Sequence, residues 1–383
     1  MQKFNFHNPG RMVFGENSAV KRAGKELDAL GCSRVMLVTD GPLSETDMIE
    51  TIKEALSERL VAVFDQVVPD TGVDVVGSAV KTARRETVDS VISVGGGSSI
   101  DTAKAVAAAL THDEEAVRDL IGFNKLKNKP APHIAVPTTA GTGSECTSMA
   151  MIKDREKGKK LVLLDDKLIP EVAILDPVLT VGLPPNLTAS TGMDAMTHAA
   201  EAIMSTRAMP PADALALHSV RMIMKNLPRA LQDGSDLNAR GAMLVASSCA
   251  GQAFQNAYVG IVHAMAHALG GMFGVPHGLA NAIMLAVGME YNSEAAPQKV
   301  AMIGEAMKVS STGDVKEDAQ KAIIAMREFA SSLGIPLKLS DAGVDGSGLD
   351  ECAQLALKDP SIYTNPKMPE DAEAIKDLLQ KCL

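Results

Sequence analysis

SVISVGGGSSIDTAK, residues Ser90–Lys104, decides the fold. A β-favouring run, Ser90–Val94, feeds three consecutive glycines, and Ser98 or Ser99 then caps a helical stretch from Ile100. Glycine lets a backbone approach a phosphate closely, and a helix N-terminus presents free N–H groups at its positive dipole end. Gly95 and Gly97 match the first two positions of a GxGxxG fingerprint, Ile100 occupies the third, and the run follows a later strand than the first. Taken alone, the stretch is equally a tight turn.

Working outward, Arg34–Thr39, Val61–Phe64, His133–Val136 and Val172–Leu175 read as further strands. Helical patterns lie near Glu45–Glu58, Val73–Glu86 and Ile100–Leu110. Near-continuous apolar strands alternating with helices predict a parallel sheet covered on both faces. Phe4–Asn8 and Arg11–Gly15, flanking Pro9–Gly10, read as a separate hairpin whose edge suits self-pairing. Beyond Asp176–Pro177 the strand signals stop, and Pro184–Pro185 marks a boundary. Helical periodicity then runs through Asp213–Asn226, Asn238–Tyr258, Ile261–Phe273, Leu279–Tyr291, Ala301–Met307, Glu317–Leu333 and Pro369–Leu383. The expected architecture is an α/β domain over residues 1–185 followed by an all-α domain over 186–383.

Two further features join the glycine run on the nucleotide side. Asp40 closes the first strand in VTDGP, where a carboxylate can accept from ribose hydroxyls and repel the extra phosphate of NADP; a helix cap is the alternative. Pro137–Glu145, PTTAGTGSE, sits at another strand end and offers hydroxyls and amides for a second clasp. Lys160 can add a cationic contact, although a solvated lysine is the default for its type.

The second half carries different chemistry. GIVHAMAHALGGMFGVPHG, Gly260–Gly278, holds three of the eight histidines, inside a run from Gly241 to Met289 without Asp, Glu, Lys or Arg. Imidazoles in so uncharged a setting cost free energy unless something binds them. In TGMDAMTHAAEA, Thr191–Ala202, Asp194 and His198 are four apart and project from one helix face, the spacing that His263 and His267 repeat. His277, between Pro276 and Gly278, reads as a turn before a helix at Leu279. Nitrogen and oxygen donors without sulfur fit Zn, Fe(II), Co or Mn. HAMAH lacks the glutamate of HExxH, Ala264 standing in its place, and the five cysteines include no CxxC pair.

Bulk properties narrow the classes. A chain of 383 residues with 46% hydrophobic and 22% charged residues supports two full cores. The net charge of −10 argues against nucleic acid or an anionic membrane as partner. Scattered, odd-numbered cysteines suit a reducing cytosol, and MQKFNFHNPG has no apolar core of signal-peptide length. The uncharged run is broken by Gln, Asn, Pro and glycines that a lipid-facing span avoids. With 3% aromatics and 21 methionines, a Met-rich helical core is expected.

GGGSSIDTAK, PTTAGTGSE, LDPVLTVGLP (Leu175–Pro184), TGMDAMTHAAEA and GIVHAMAHALGGMFGVPHG, in this order and spacing, resemble the iron-dependent (group III) alcohol dehydrogenases over nearly the whole chain. The resemblance implies a Rossmann-like, dehydroquinate synthase-like domain followed by a helical metal-binding domain. It implies metal ligation by Asp194, His198, His263 and His277, with His267 near the metal as a supporting or proton-relay group rather than a ligand. It also implies NAD held by Asp40, Gly95, Gly96, Gly97, Ser98, Asp101, Thr138, Thr139 and Lys160. The expected activity is NAD- and iron-dependent interconversion of small primary alcohols or diols and aldehydes, with Zn as the alternative metal and a homodimer as the assembly. Glycerol dehydrogenase-like or dehydroquinate synthase-like chemistry on the same fold is the rival reading. A sugar phosphate needs a basic cluster, which the Gly241–Met289 run does not supply. Pro69-Asp70-Thr71-Gly72 departs from the family's P-N-P-T and puts an added negative charge near the expected cofactor, so Asp70 stays outside the predicted site.

Overall fold

The computed structural model describes residues 3–7, 10–112, 117–154 and 159–383. The chain divides into two compact units, one His7–Gly182 and the other Met1–Phe6 with Leu183–Leu383.

The first unit runs β1 Arg11–Phe14, α1 Ser18–Leu30, β2 Val35–Asp40, α2 Gly41–Ser44, α3 Asp47–Leu56, β3 Leu60–Val67, α4 Val73–Arg85, β4 Ser90–Gly95 and α5 Gly97–Leu110. It continues with β5 Gly122–Phe123, β6 His133–Pro137, β7 Met149–Asp154, β8 Lys159–Leu164 and β9 Val172–Leu175. Six strands form an all-parallel sheet in the order β1-β9-β6-β4-β2-β3. Successive strand residues face opposite sides, so Val35 and Leu37 meet Leu27, Ile49 and Ile52 of α1 and α3. Met36 and Val38 join Val76, Ala79 and Ala103 of α4 and α5 on the other side. Both faces are thereby covered, which is why these strands carry no polar alternation.

The strand order reverses at β2: the chain goes outward to β3 and then returns to β4 on β2's other side. In open α/β sheets the carboxyl ends of strands at such a switch point form the ligand crevice. Here those ends are Asp40 on β2 and Gly95 on β4.

The expected amino-terminal hairpin is not formed by the described residues, and its Asn8 and Pro9 lie outside them. Arg11–Phe14 instead pairs in parallel with Val172–Leu175 at the sheet edge. Gly10 is there for close approach: a Cβ on it would lie 2.1 Å from the Glu171 carbonyl oxygen. Arg11 N–H donates to that oxygen at 2.8 Å. The β7–β8 antiparallel pair, which with β5 makes a second small sheet, was also not anticipated.

His133 on β6 is buried, with Nε2 2.8 Å from Ser93 Oγ and Nδ1 without a partner among the described residues. Burial, then the Lys104 charge, pull its pKa down to about 3. The unfolded chain therefore takes up a proton near pH 6.5 that the folded chain refuses until about pH 3, so stability falls as pH drops through that window. We expect His133 to add roughly 1.4 kcal/mol of lost stability per pH unit there. A His133→Gln protein should show a visibly flatter melting temperature between pH 6 and 4 than the parent, and equal slopes would refute the assignment.

The second unit is helical: α6 Pro185–Met204, α7 Pro210–Gln232, α8 Leu237–Ala257, α9 Ile261–Phe273, α10 His277–Ser293, α11 Pro297–Ala306, α12 Val315–Ser332, α13 Leu349–Leu357 and α14 Ala372–Gln380. Proline opens α6, α7 and α11, where its missing N–H is no loss. α6 packs against α7, α8 and α10, and its residues from Gly192 to Met204 are all buried. The uncharged Gly241–Met289 run becomes the inner helices α8, α9 and most of α10. Among the described residues no helix is long and apolar enough to cross a membrane.

Candidate metal centre and nucleotide loops

α6 presents Asp194, His198 and Glu201 along one stripe, because residues spaced by four and three share a helix face. α9 presents His263 and His267, and His277 is the first residue of α10 rather than part of a turn before Leu279. Gly278 lets α10 start hard against α6: a Cβ there would lie 2.5 Å from the Ser190 carbonyl oxygen and 3.5 Å from Asp194 Cβ.

The result is convergence. One ligand atom each from Asp194, His263 and His277 lie within 4.8 Å of one another. His198 is beside them, its ring stacked 4.6 Å from His263 on one face and 4.2 Å from Phe254 on the other. Among the described residues its buried Nδ1 has no hydrogen-bond partner. Asn281, one turn after His277, points its amide nitrogen at the same focus, 2.7 Å from Asp194 Oδ1, 3.3 Å from His263 Nε2 and 3.2 Å from His277 Nε2. An amide has two hydrogens and cannot serve three acceptors. A divalent cation can, and the donor set suits one.

Electrostatics agree. Burial raises the Asp194 pKa, but His198, His277 and His263 outweigh it and hold the carboxylate below its ordinary range. Burial, then the His198 charge, push His263 well below the usual imidazole value, so it is neutral with a lone pair to give. Asp194 and His263 are buried, whereas His277 keeps 34% of its side chain exposed, which marks the open side.

Two carboxylates that sequence reasoning passed over stand behind the imidazoles. Glu201 Oε2 lies 2.5 Å from His263 Nδ1, and burial pushes this carboxyl up to about 7. Its place seven residues after Asp194 was the available signal. Asp359 Oδ2 lies 2.8 Å from His267 Nδ1, and the His267 ring stacks 5.3 Å from His277. Nothing local in KDPS signals that role.

In the first unit, Asp40 and the glycine-loop residues lie at the switch point, with the threonine loop on the next strand and Lys160 apart on the small sheet. Gly95 ends β4, Gly96 caps α5, and Gly97, Ser98 and Asp101 lie in the first turns of α5. Thr138 and Thr139 follow β6, with Thr138 N–H donating to Gly95 O at 3.0 Å. A Cβ on Gly95 would sit 2.4 Å from Ser99 Oγ and one on Gly97 2.9 Å from Thr142 Cγ2, so a side chain at either position would force its neighbour to shift. Asp40 Oδ2 lies 3.8 Å from that Gly95 Cβ position, while Oδ1 caps α2 through Leu43 N–H at 3.0 Å. The helix-cap reading of Asp40 thus holds for one oxygen, and the other faces the glycine loop.

Asp101 accepts from Ser144 Oγ and from Met151 N–H, and so ties the threonine loop to α5. Fully buried Lys104 completes the tie, 2.7 Å from Met149 O, 3.1 Å from Ser144 Oγ and 3.2 Å from Thr147 Oγ1. Lys160, on β8, faces Asp70 at 3.1 Å, and Lys153 is 3.8 Å from the same carboxylate. The added negative charge of Asp70 is thus compensated.

Comparison with known proteins agrees with both halves of this description. Residues 9–177 match the iron-containing alcohol dehydrogenase profile, and residues 188–383 match the C-terminal profile of the Fe-containing alcohol dehydrogenase family. The chain is 40% identical over 379 residues to a 1,3-propanediol dehydrogenase of Klebsiella pneumoniae, covering 97% of this chain and 96% of the relative. It is 35% identical over 381 residues to an NAD-dependent methanol dehydrogenase of Bacillus methanolicus, covering 98% and 100%. A solved 1,3-propanediol oxidoreductase superposes with a TM-score of 0.96 at 38% identity over 100% of both chains. Matched end to end by profile, relatives and fold, the chain belongs to the iron-containing alcohol dehydrogenases and is an alcohol oxidoreductase.

Proposed function

We propose that this protein is an NAD- and iron-dependent dehydrogenase that interconverts small primary alcohols or diols and aldehydes, with Zn as the alternative metal. The observation that carries the reading is the convergence of Asp194, His263 and His277 on one point, with the His198 ring stacked 4.6 Å from that of His263. Asp194, His198, His263 and His277 would hold the ion. Unit His7–Gly182 would hold NAD through Asp40, Gly95–Ser98, Asp101, Thr138, Thr139 and Lys160. Support for NAD comes from the acidic Asp40 beside Gly95 and from the methanol dehydrogenase relative named for that coenzyme. Support for a small uncharged substrate comes from the charge-free Gly241–Met289 helices and from relatives named for propanediol and methanol.

An ion held by Asp194, His198, His263 and His277 would supply Lewis acidity, and a coenzyme held by the first unit would supply hydride chemistry. The chain does the rest. The four ligands fix the ion's place, and the buried apolar walls of α8, α9 and α10 limit water. His267, its Nδ1 held by Asp359, keeps Nε2 available to accept the substrate's hydroxyl proton. Assembly as a homodimer in a reducing cytosol belongs to the same proposal; the five cysteines are buried and, among the described residues, form no disulfide.

Coenzyme choice tests the nucleotide half. Replacing Asp40 by Gly removes a negative charge from the place where the extra phosphate of NADP would sit. We expect NADP use, as kcat/KM relative to NAD, to rise about tenfold or more, for a repulsion of about 1.4 kcal/mol or more. An unchanged ratio contradicts the role given to Asp40.

A further inference from the structure

The helix that carries His263 has no cap of its own. α9 begins after Gly260, which offers no side chain, yet its first N–H groups are buried and must be satisfied. Two distant side chains do this. Asn365 Oδ1 accepts Ile261 N–H at 3.1 Å, and Glu201 Oε1 accepts Val262 N–H at 2.7 Å. Asn365 is itself locked to Asn292 by reciprocal amide bonds of 3.0 and 2.7 Å. Gly260 is required by this arrangement, since a Cβ would lie 2.6 Å from Asn365 Oδ1 and 3.0 Å from Glu201 Oε1.

Glu201 does more than cap, because its second oxygen reaches the ligand's ring. With Oε1 fixed on the backbone of α9, Oε2 sits 2.5 Å from His263 Nδ1. In its ionised form Glu201 accepts only, which puts the proton of this contact on Nδ1 and leaves the lone pair on Nε2. Nε2 is the nitrogen that faces Asn281 Nδ2 at the focus shared with Asp194 and His277. Charge points the same way: a divalent ion with Asp194 and neutral imidazoles leaves one positive charge in a buried site, and an ionised Glu201 cancels it.

We propose that Glu201 is a positioning residue of the metal centre, holding His263 in the Nδ1–H tautomer so that Nε2 is presented to a divalent cation. The proposal rests on the metal-site reading above. Supporting carboxylates of this kind change metal affinity by about 10–100-fold when removed.

Glu201→Gln separates this role from simple capping. Glutamine's oxygen can still accept from Val262, but its NH2 then donates to Nδ1 and favours the tautomer that turns an N–H towards the ion. Zn(II) affinity would be measured by competition with a chromogenic chelator, beside melting temperature and far-ultraviolet dichroism, for the parent, Glu201→Gln and Asn365→Ala. The expected result is a folded Glu201→Gln protein that binds Zn(II) about 10–100-fold more weakly. Asn365→Ala, which removes a cap without touching the ring, should melt lower and keep the parent's affinity. Parent-like affinity in folded Glu201→Gln, or equal losses in both variants, overturns the proposal. A parent that binds no Zn(II) or Fe(II) overturns the underlying metal reading instead. Should Glu201→Gln fail to fold, nitrogen-15 NMR of the metal-free parent decides: His263 protonated on Nδ1 is expected, and the Nε2–H form refutes the proposal.

Discussion

An Asp194→Asn protein folds as the parent does, holds no divalent ion and loses alcohol oxidation by about a thousandfold or more. The magnitude follows from removing a Lewis acid that supplies several kcal/mol at the reacting oxygen, at about 1.4 kcal/mol per tenfold in rate. The fold should survive because asparagine is isosteric and its oxygen can still accept from Asn281 Nδ2, now 2.7 Å from Asp194 Oδ1. Removing a buried charge also removes a desolvation cost, since Asp194 is buried and its ionised form depends on its imidazole neighbours and the Asn281 amide. Elemental analysis and steady-state rates check both halves, and an Asp194→Asn protein with one ion per chain and parental turnover refutes the ligand set.

The second large effect is on the nucleotide unit. Lys104→Met leaves Ser144 and Thr147 without their shared donor and Asp101 without the ammonium 3.7 Å away. Burial pulls the Lys104 pKa down while Asp101 and Glu145 oppose it, so the ammonium and its partners depend on each other. Breaking one side of a buried ion pair costs about 3–5 kcal/mol. At about 2–4 °C per kcal/mol for a unit of this size, melting should fall by about 6–20 °C. NAD affinity should fall with it, because the same atoms hold the threonine loop on α5. Combining Lys104→Met with Asp101→Asn should recover part of the loss. An unchanged melting temperature in Lys104→Met refutes the network's weight.

What was legible in the sequence was whatever depends on local spacing. The apolar strands β2, β4, β6 and β9 announced a two-sided sheet, and α9 runs over the residues its periodicity indicated, Ile261–Phe273. The Asp194–His198 and His263–His267 spacings showed one face of each helix. What was hidden depends on partners far along the chain. β1 was read as half of a hairpin because its true partner, β9, is about 160 residues away. α1 lacks a capping side chain next to it; Asp176 accepts from Asn17 and Ala19 N–H at 2.9 and 3.1 Å across the sheet unit. Asp359 reaches His267 from a separate loop. Asp70 was set aside for its charge because Lys153 and Lys160 come beside it only when β7 and β8 fold back together. Pairwise chemistry of this kind needs coordinates.

The most direct test of the central claim is NADH formation, followed by near-ultraviolet absorbance under anaerobic conditions. Chelator-stripped protein would be given NAD and a panel of small alcohols and diols, without metal and after reloading with Fe(II) or Zn(II). The account predicts no turnover in stripped protein and restored, alcohol-dependent NAD reduction on reloading, abolished again by chelator. Protein that binds NAD and metal but reduces no NAD with any alcohol, diol or polyol would contradict it and bring cyclase-like chemistry on this fold to the front.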